Sequence, residues 1–134
     1  MIRARWLGII AGTNLLLAFP ASAATEDGFM TGGGAGSVSC PDFLNAMATA
    51  RQRGGIDTLA GNQFVHAFVS YVLGFRTGYN MAAPGVFDAF APLGENPGHK
   101  SLFVIEAWCV KNPEANFDAG LIDLLETLQS KQEN

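Results

Sequence analysis

The stretch Asn62 to Tyr79, NQFVHAFVSYVLGFRTGY, decides the fold of this chain. Within it Phe64, Phe68, Tyr71, Phe75 and Tyr79 recur at steps of four, three, four and four. Positions three and four apart share one side of an α-helix, so the spacing stacks five rings along a single face. Such a face is either core or, where partly exposed, a surface that takes a client or partner protein. A second stripe, Ala67, Ser70, Gly74 and Gly78, carries no bulk. Glycine inside a helix costs about 1 kcal/mol against alanine, so two of them predict a packing purpose, the close approach of another helix of the same core. The apolar run stops at Arg76, short of the roughly 20 residues that a membrane span needs.

Upstream of this helix, Ser39 with Asp42 three residues on resembles a capping box, and Pro41 suits a first turn. Phe43, Leu44, Met47 and Ala50 then repeat at helical spacing until Gly54-Gly55 interrupts them. Downstream, Pro84, Gly85, Pro92, Gly94, Pro97 and Gly98 punctuate residues 80–100, which predicts a connection with one short helical turn around Val86 to Phe90. A third helix is expected from Ser101 to Lys111, with Leu102, Ile105, Trp108 and Cys109 facing inward. Asn112-Pro113-Glu114 supplies a cap, a first-turn proline and an acid for a last helix. That helix places Phe117, Leu121, Leu124, Leu125 and Leu128 on one side and the acids Asp118, Asp123 and Glu126 on the other. No segment alternates with a period of two. The expected fold is therefore all-α, a small orthogonal bundle of four main helices with one disulfide.

The first residues set the compartment. Arg3 and Arg5 precede a mostly apolar stretch from Trp6 to Phe19, and Pro20 and Ala21-Ser22-Ala23 follow. Charge, apolar core and an A-x-A site form the secretory signature, so residues 1–23 are expected to be a cleaved signal peptide, with a retained anchor as the alternative. Residues 24–38, rich in glycine, read as a flexible tail; a phosphate-cradling loop would need a closing Gly-Lys-Ser/Thr. The helical domain is expected over residues 39–130, with a polar tail at 131–134. Loss of residues 1–23 takes two of the eight basic residues and none of the twelve acids, moving the net charge from -4 to -6. A chain so charged repels nucleic acid and anionic membrane surfaces. No cofactor is implied, and none of the partners expected is a nucleic acid or, once the leader is gone, a membrane.

Two cysteines, Cys40 and Cys109, remain in a protein bound for an oxidising compartment, where an even pair reads as a disulfide. A free redox pair or half of a metal site would compete. No C-x-x-C motif is present, and a zinc set of Cys40, His66, His99 and Cys109 lacks the short paired spacing of structural zinc sites. Closing a loop of about 70 residues contributes roughly 4.4 kcal/mol in the chain-entropy account. There is no G-x-S-x-G elbow, and a disulfide would remove both thiols as nucleophiles, so the chain reads as non-enzymatic. Glu106, next to Ala107-Trp108, is the carboxylate expected at the core edge. Arg76 is its natural partner, as a pH-sensitive latch or as a plain structural ion pair.

Three stretches carry a resemblance: Ser39-Cys40-Pro41-Asp42-Phe43-Leu44, then Tyr71 to Asn80, then Trp108-Cys109-Val110-Lys111-Asn112-Pro113 followed by Phe117. Together they resemble two families of small exported helical proteins, the HdeA/HdeB-like periplasmic acid-stress chaperones and the Rap/Tai-type immunity proteins. The first resemblance implies a homodimer that loosens at low pH and holds unfolding clients on apolar surface. The aromatic face would serve as that surface. The second implies a pre-formed surface that blocks a secreted toxin, for which the acidic last helix would face a basic partner.

Overall fold

The computed structural model describes residues 33–132. Among them the chain is all-α: four helices, no strand, and a disulfide between Cys40 and Cys109. Residues 1–23, expected to be a signal peptide, lie outside the described residues, as do residues 133 and 134 of the expected polar tail.

Helix α1 (Cys40–Gln52) starts where its capping residues require. The Ser39 hydroxyl accepts from the Asp42 N–H at 3.3 Å and donates to the Asp42 carboxylate at 2.7 Å. Gly54 and Gly55 then turn the chain at φ 101° and 103°, a left-handed region that other residues enter at a cost. Helix α2 (Leu59–Ala82) begins three residues before Asn62, because the Thr58 hydroxyl caps it by accepting from Gly61 N–H at 3.0 Å. Gly61 is required there: a side-chain carbon would run into the carbonyls of Gly55 and Ala50. The first turn of α2 therefore rests directly on the end of α1.

Helix α3 (Pro97–Lys111) begins four residues earlier than the periodicity predicts, with proline in its first turn. Asn96, at φ 55°, supplies the sharp change of direction before it. Asn112 ends α3 instead of opening the next helix; its side-chain amide donates to the Trp108 carbonyl at 2.9 Å. Helix α4 (Phe117–Gln132) follows after a short extended passage and runs two residues into the expected polar tail. In that passage Phe117 N–H donates to Val38 O at 2.9 Å and Cys40 N–H to Ala115 O at 2.8 Å. The chain entering α1 is thus paired with the chain entering α4. Residues 34–38, expected to belong to a flexible tail, are part of this structure: Gly34–Ser37 form a 3-10 turn, and Gly36 is buried beneath the Tyr71 ring.

The core gathers Phe43 and Met47 of α1, Val65, Phe68 and Val72 of α2, Leu102 and Ile105 of α3, and Leu121, Leu124 and Leu128 of α4. At its centre Phe43, Phe68 and Phe117 form a triangle with ring centroids 4.8 to 4.9 Å apart. Each such pair contributes about 0.5–1.5 kcal/mol beyond the area it buries. Because these rings fill the centre, the small-residue stripe of α2 is not needed there. Ala67, Ser70, Gly74 and Gly78 are all exposed, and a side-chain carbon on either glycine would meet nothing within 4 Å. The expectation that this stripe admits another helix of the same core is corrected by that finding.

Candidate functional site

The connection between α2 and α3 does more than link them. Its expected helical turn at Val86 to Phe90 is displaced to a 3-10 turn at Ala91–Leu93. What precedes that turn is fixed by side chains of α2. The Asp88 carboxylate accepts from Arg76 Nε at 2.8 Å, Arg76 Nη2 at 2.6 Å, Asn80 Nδ2 at 3.2 Å and the Phe90 N–H at 3.0 Å. Asn80 completes the grip by accepting from the Ala89 N–H at 2.9 Å. The consequence is apolar: Ala89 and Phe90 are fully buried, while their neighbour Phe87 is 99% exposed. The hydrogen-bonded guanidinium of Arg76, with help from the Phe90 N–H and Asn80, holds the Asp88 carboxyl down at about 2, against the opposing effect of burial.

Glu106 and Arg76 are not partners. Glu106 of α3 instead pairs with Arg51 at the end of α1, so each of the two residues expected to form one latch belongs to a different ion pair. A third pair, His99 Nδ1 to Asp57 Oδ1 at 3.0 Å, ties α3 to the turn between α1 and α2. All three tie together parts of the chain distant in sequence through a carboxylate. A shallow cleft lined by Leu73, Arg76, Asn96, Pro97, Gly98 and His99 lies between α2 and the start of α3.

The aromatic stripe faces inward. Phe68 is buried, and Phe64, Tyr71, Phe75 and Tyr79 are partly buried against the core. Tyr71 meets Phe117 edge-on, Phe75 stacks on Tyr79, and the Tyr79 hydroxyl accepts from the Gln129 amide of α4. These rings hold the bundle together and do not present an open face. Of the acids on α4, Asp123 and Glu126 are exposed, whereas Asp118 is half-buried and accepts from the Ala119 N–H at 2.9 Å. Cys40 and Cys109 are both consumed by their disulfide. Among the described residues, no three His, Cys, Asp or Glu side chains gather in a group that could hold a metal ion.

Besides the separate exposed side chains of Leu59, Met81 and Phe87, an exposed apolar face lies on the outer side of α3. Phe103, Val104, Ala107 and Val110 all face outward, with Val110 66% exposed and Phe103 48% exposed. Lys100 and Lys111 stand at its two ends. The signal was present in the sequence: α3 carries apolar residues all round, beyond the inward set Leu102, Ile105 and Cys109. A helix apolar on every side has a second surface to cover.

No protein-family model, no curated protein and no solved structure matches this chain.

Proposed function

We propose that this is a non-enzymatic periplasmic protein of the HdeA/HdeB-like type, exported through its N-terminal leader, that holds unfolding client proteins at low pH. The observation that carries the reading is the outer face of α3, where Phe103, Val104 and Val110 stand exposed in an otherwise ordered bundle. Apolar surface of this kind is what a client chain, itself exposing apolar side chains, would contact. Two features suit acid use. The Arg76–Asp88, Arg51–Glu106 and His99–Asp57 pairs each lose their attraction when the carboxylate is protonated. The disulfide between α1 and α3 does not titrate, so the frame stays tied while those contacts let go. Acidification also turns the net charge strongly positive, which favours loosening by self-repulsion.

The test is suppression of client aggregation at pH 2 to 3 by the oxidised protein and by a Phe103→Gln, Val110→Gln variant. Both positions are exposed, so the variant should fold as the parent does. The reading expects the parent to suppress aggregation and the variant to lose most of that effect. Equal suppression by both, or none by either, contradicts it. A second reading, a Rap/Tai-type immunity protein, draws on the exposed Asp123 and Glu126 of α4, which would face a basic toxin. It predicts tight, one-to-one toxin binding at neutral pH that Asp123→Asn with Glu126→Gln weakens.

A further inference from the structure

The segment between α2 and α3 has the construction of a strap. It runs from Ala83 to Asn96, and most of it (Pro84, Gly85, Phe87, Ala91, Pro92, Gly94, Glu95) lies exposed on the surface. Two residues, Ala89 and Phe90, are sunk into the core. What holds them there is local. Arg76 and Asn80, one turn apart at the end of α2, grip the Asp88 carboxylate and the Ala89 N–H. At the far end the Lys100 ammonium donates to the Leu93 carbonyl at 2.7 Å and docks the strap on the first turn of α3.

We propose that residues 83–96 are a strap latched by Asp88 onto Arg76 and Asn80, and that neutralising Asp88 lifts the strap and exposes Phe90. The use of this movement rests on the client-holding function proposed above; its geometry does not. A carboxylate that loses its charge loses both the fork to Arg76 and the charge-assisted character of its bonds to Asn80 and to the Phe90 N–H. Arg76, 31% exposed at its side chain, turns to water easily. Phe90 is then held by its own burial and, three residues on, by the bond from Lys100 to the Leu93 carbonyl, while Phe87, Ala91 and Pro92 on either side of it are in solvent.

The other charged groups near the strap do not replace Asp88. His99, from α3, lines the same cleft as Arg76 and is committed to Asp57. Lys100 is engaged by the Leu93 carbonyl, and Glu95 on the strap itself is exposed. With Asp88 neutral, the guanidinium of Arg76 beside the strap is left without the charge that balances it.

The test uses the oxidised protein and follows amide exchange protection by NMR at Ala89 and Phe90, with Val65 and Val72 as references for the core. In the parent, protection at Ala89 and Phe90 should fall at least tenfold between pH 4 and pH 2 while Val65 and Val72 stay protected. In Asp88→Asn the same tenfold loss should be present at pH 7. The inference is overturned if Asp88→Asn leaves Ala89 and Phe90 protected, or if those amides loosen in the parent only together with Val65 and Val72. Client aggregation measured on the same samples separates the two ideas. A strap that opens without any client being held supports the latch and contradicts the chaperone function.

Discussion

The guanidinium of Arg76 and the carboxylate of Asp88 meet as a two-point fork, with Nε 2.8 Å from Oδ1 and Nη2 2.6 Å from Oδ2. Paired this way, planar to planar, they are a stronger and more directional contact than a single-point surface ion pair. The pair lies twelve residues apart in sequence and joins α2 to the loop that follows it.

Its pH dependence follows from the direction of the shift. The Asp88 carboxyl sits below its ordinary 3.8, at about 2, chiefly because Arg76 hydrogen-bonds the charged form. Its stabilising effect is therefore complete above pH 4 and is lost as the pH falls toward 2. Asp88→Asn should lower unfolding free energy at pH 7 by roughly 1–2 kcal/mol, allowing for solvent screening, and by almost nothing at pH 2. Denaturant titration at the two pH values measures this. A loss that is the same at both would contradict it.

Glu106 should matter less. Its partner Arg51 is 52% exposed at the side chain, and exposed pairs contribute about 0–1 kcal/mol. Glu106→Gln is expected to shift the denaturation midpoint by less than half the shift of Asp88→Asn, with 0.5 M salt removing most of it.

The glycines of α2 should respond in opposite directions. At Gly74 and Gly78 an added carbon meets open space, so alanine should stabilise by about 0.5–1 kcal/mol at each through helix propensity alone. At Gly61 the same carbon meets the carbonyls of Gly55 and Ala50, and alanine should cost about 2 kcal/mol or more. For a domain of this size 1 kcal/mol corresponds to roughly 4–8 °C in Tm, so thermal melts resolve the signs. Destabilisation by Gly74→Ala would mean that the outer face of α2 is covered by something.

Reduction of Cys40–Cys109 should lower stability by about 4 kcal/mol. That is a large part of the 5–15 kcal/mol typical of a domain. The loss should be of similar size at pH 7 and at pH 2 to 3, and denaturant titration of the oxidised and the reduced protein at both pH values would show it.

How much of this was legible in the sequence depends on whether the information was local. The start of α1 is readable because Ser39, Pro41 and Asp42 act within one turn, and the aromatic period of α2 is readable because it persists over about four turns. The pairing of Cys40 with Cys109 follows from an even count and the expectation of export, and the structure shows it. The partner of Arg76 was not readable. Glu106 and Asp88 were equally available carboxylates, and only the path of the loop after Ala82 brings Asp88 back over Arg76. The outward facing of Gly74 and Gly78 is not legible in the sequence for a related reason. Whether a small stripe is covered depends on how much volume Phe43, Phe68 and Phe117 already fill, and that is a property of three helices together. The outward face of α3 is legible in Phe103, Val104 and Val110, which lie outside the inward set Leu102, Ile105 and Cys109.

The central claim is that acid converts this bundle into a binder of unfolded chains. The most direct measurement is a titration of the purified, oxidised protein from pH 7 to pH 2, following apolar-dye binding, sedimentation and client aggregation on the same samples. Reversible loosening, rising dye binding and client protection should appear together as the pH falls from about 4 toward 2. A bundle that stays closed over that range, or one that opens and protects no client, would contradict it.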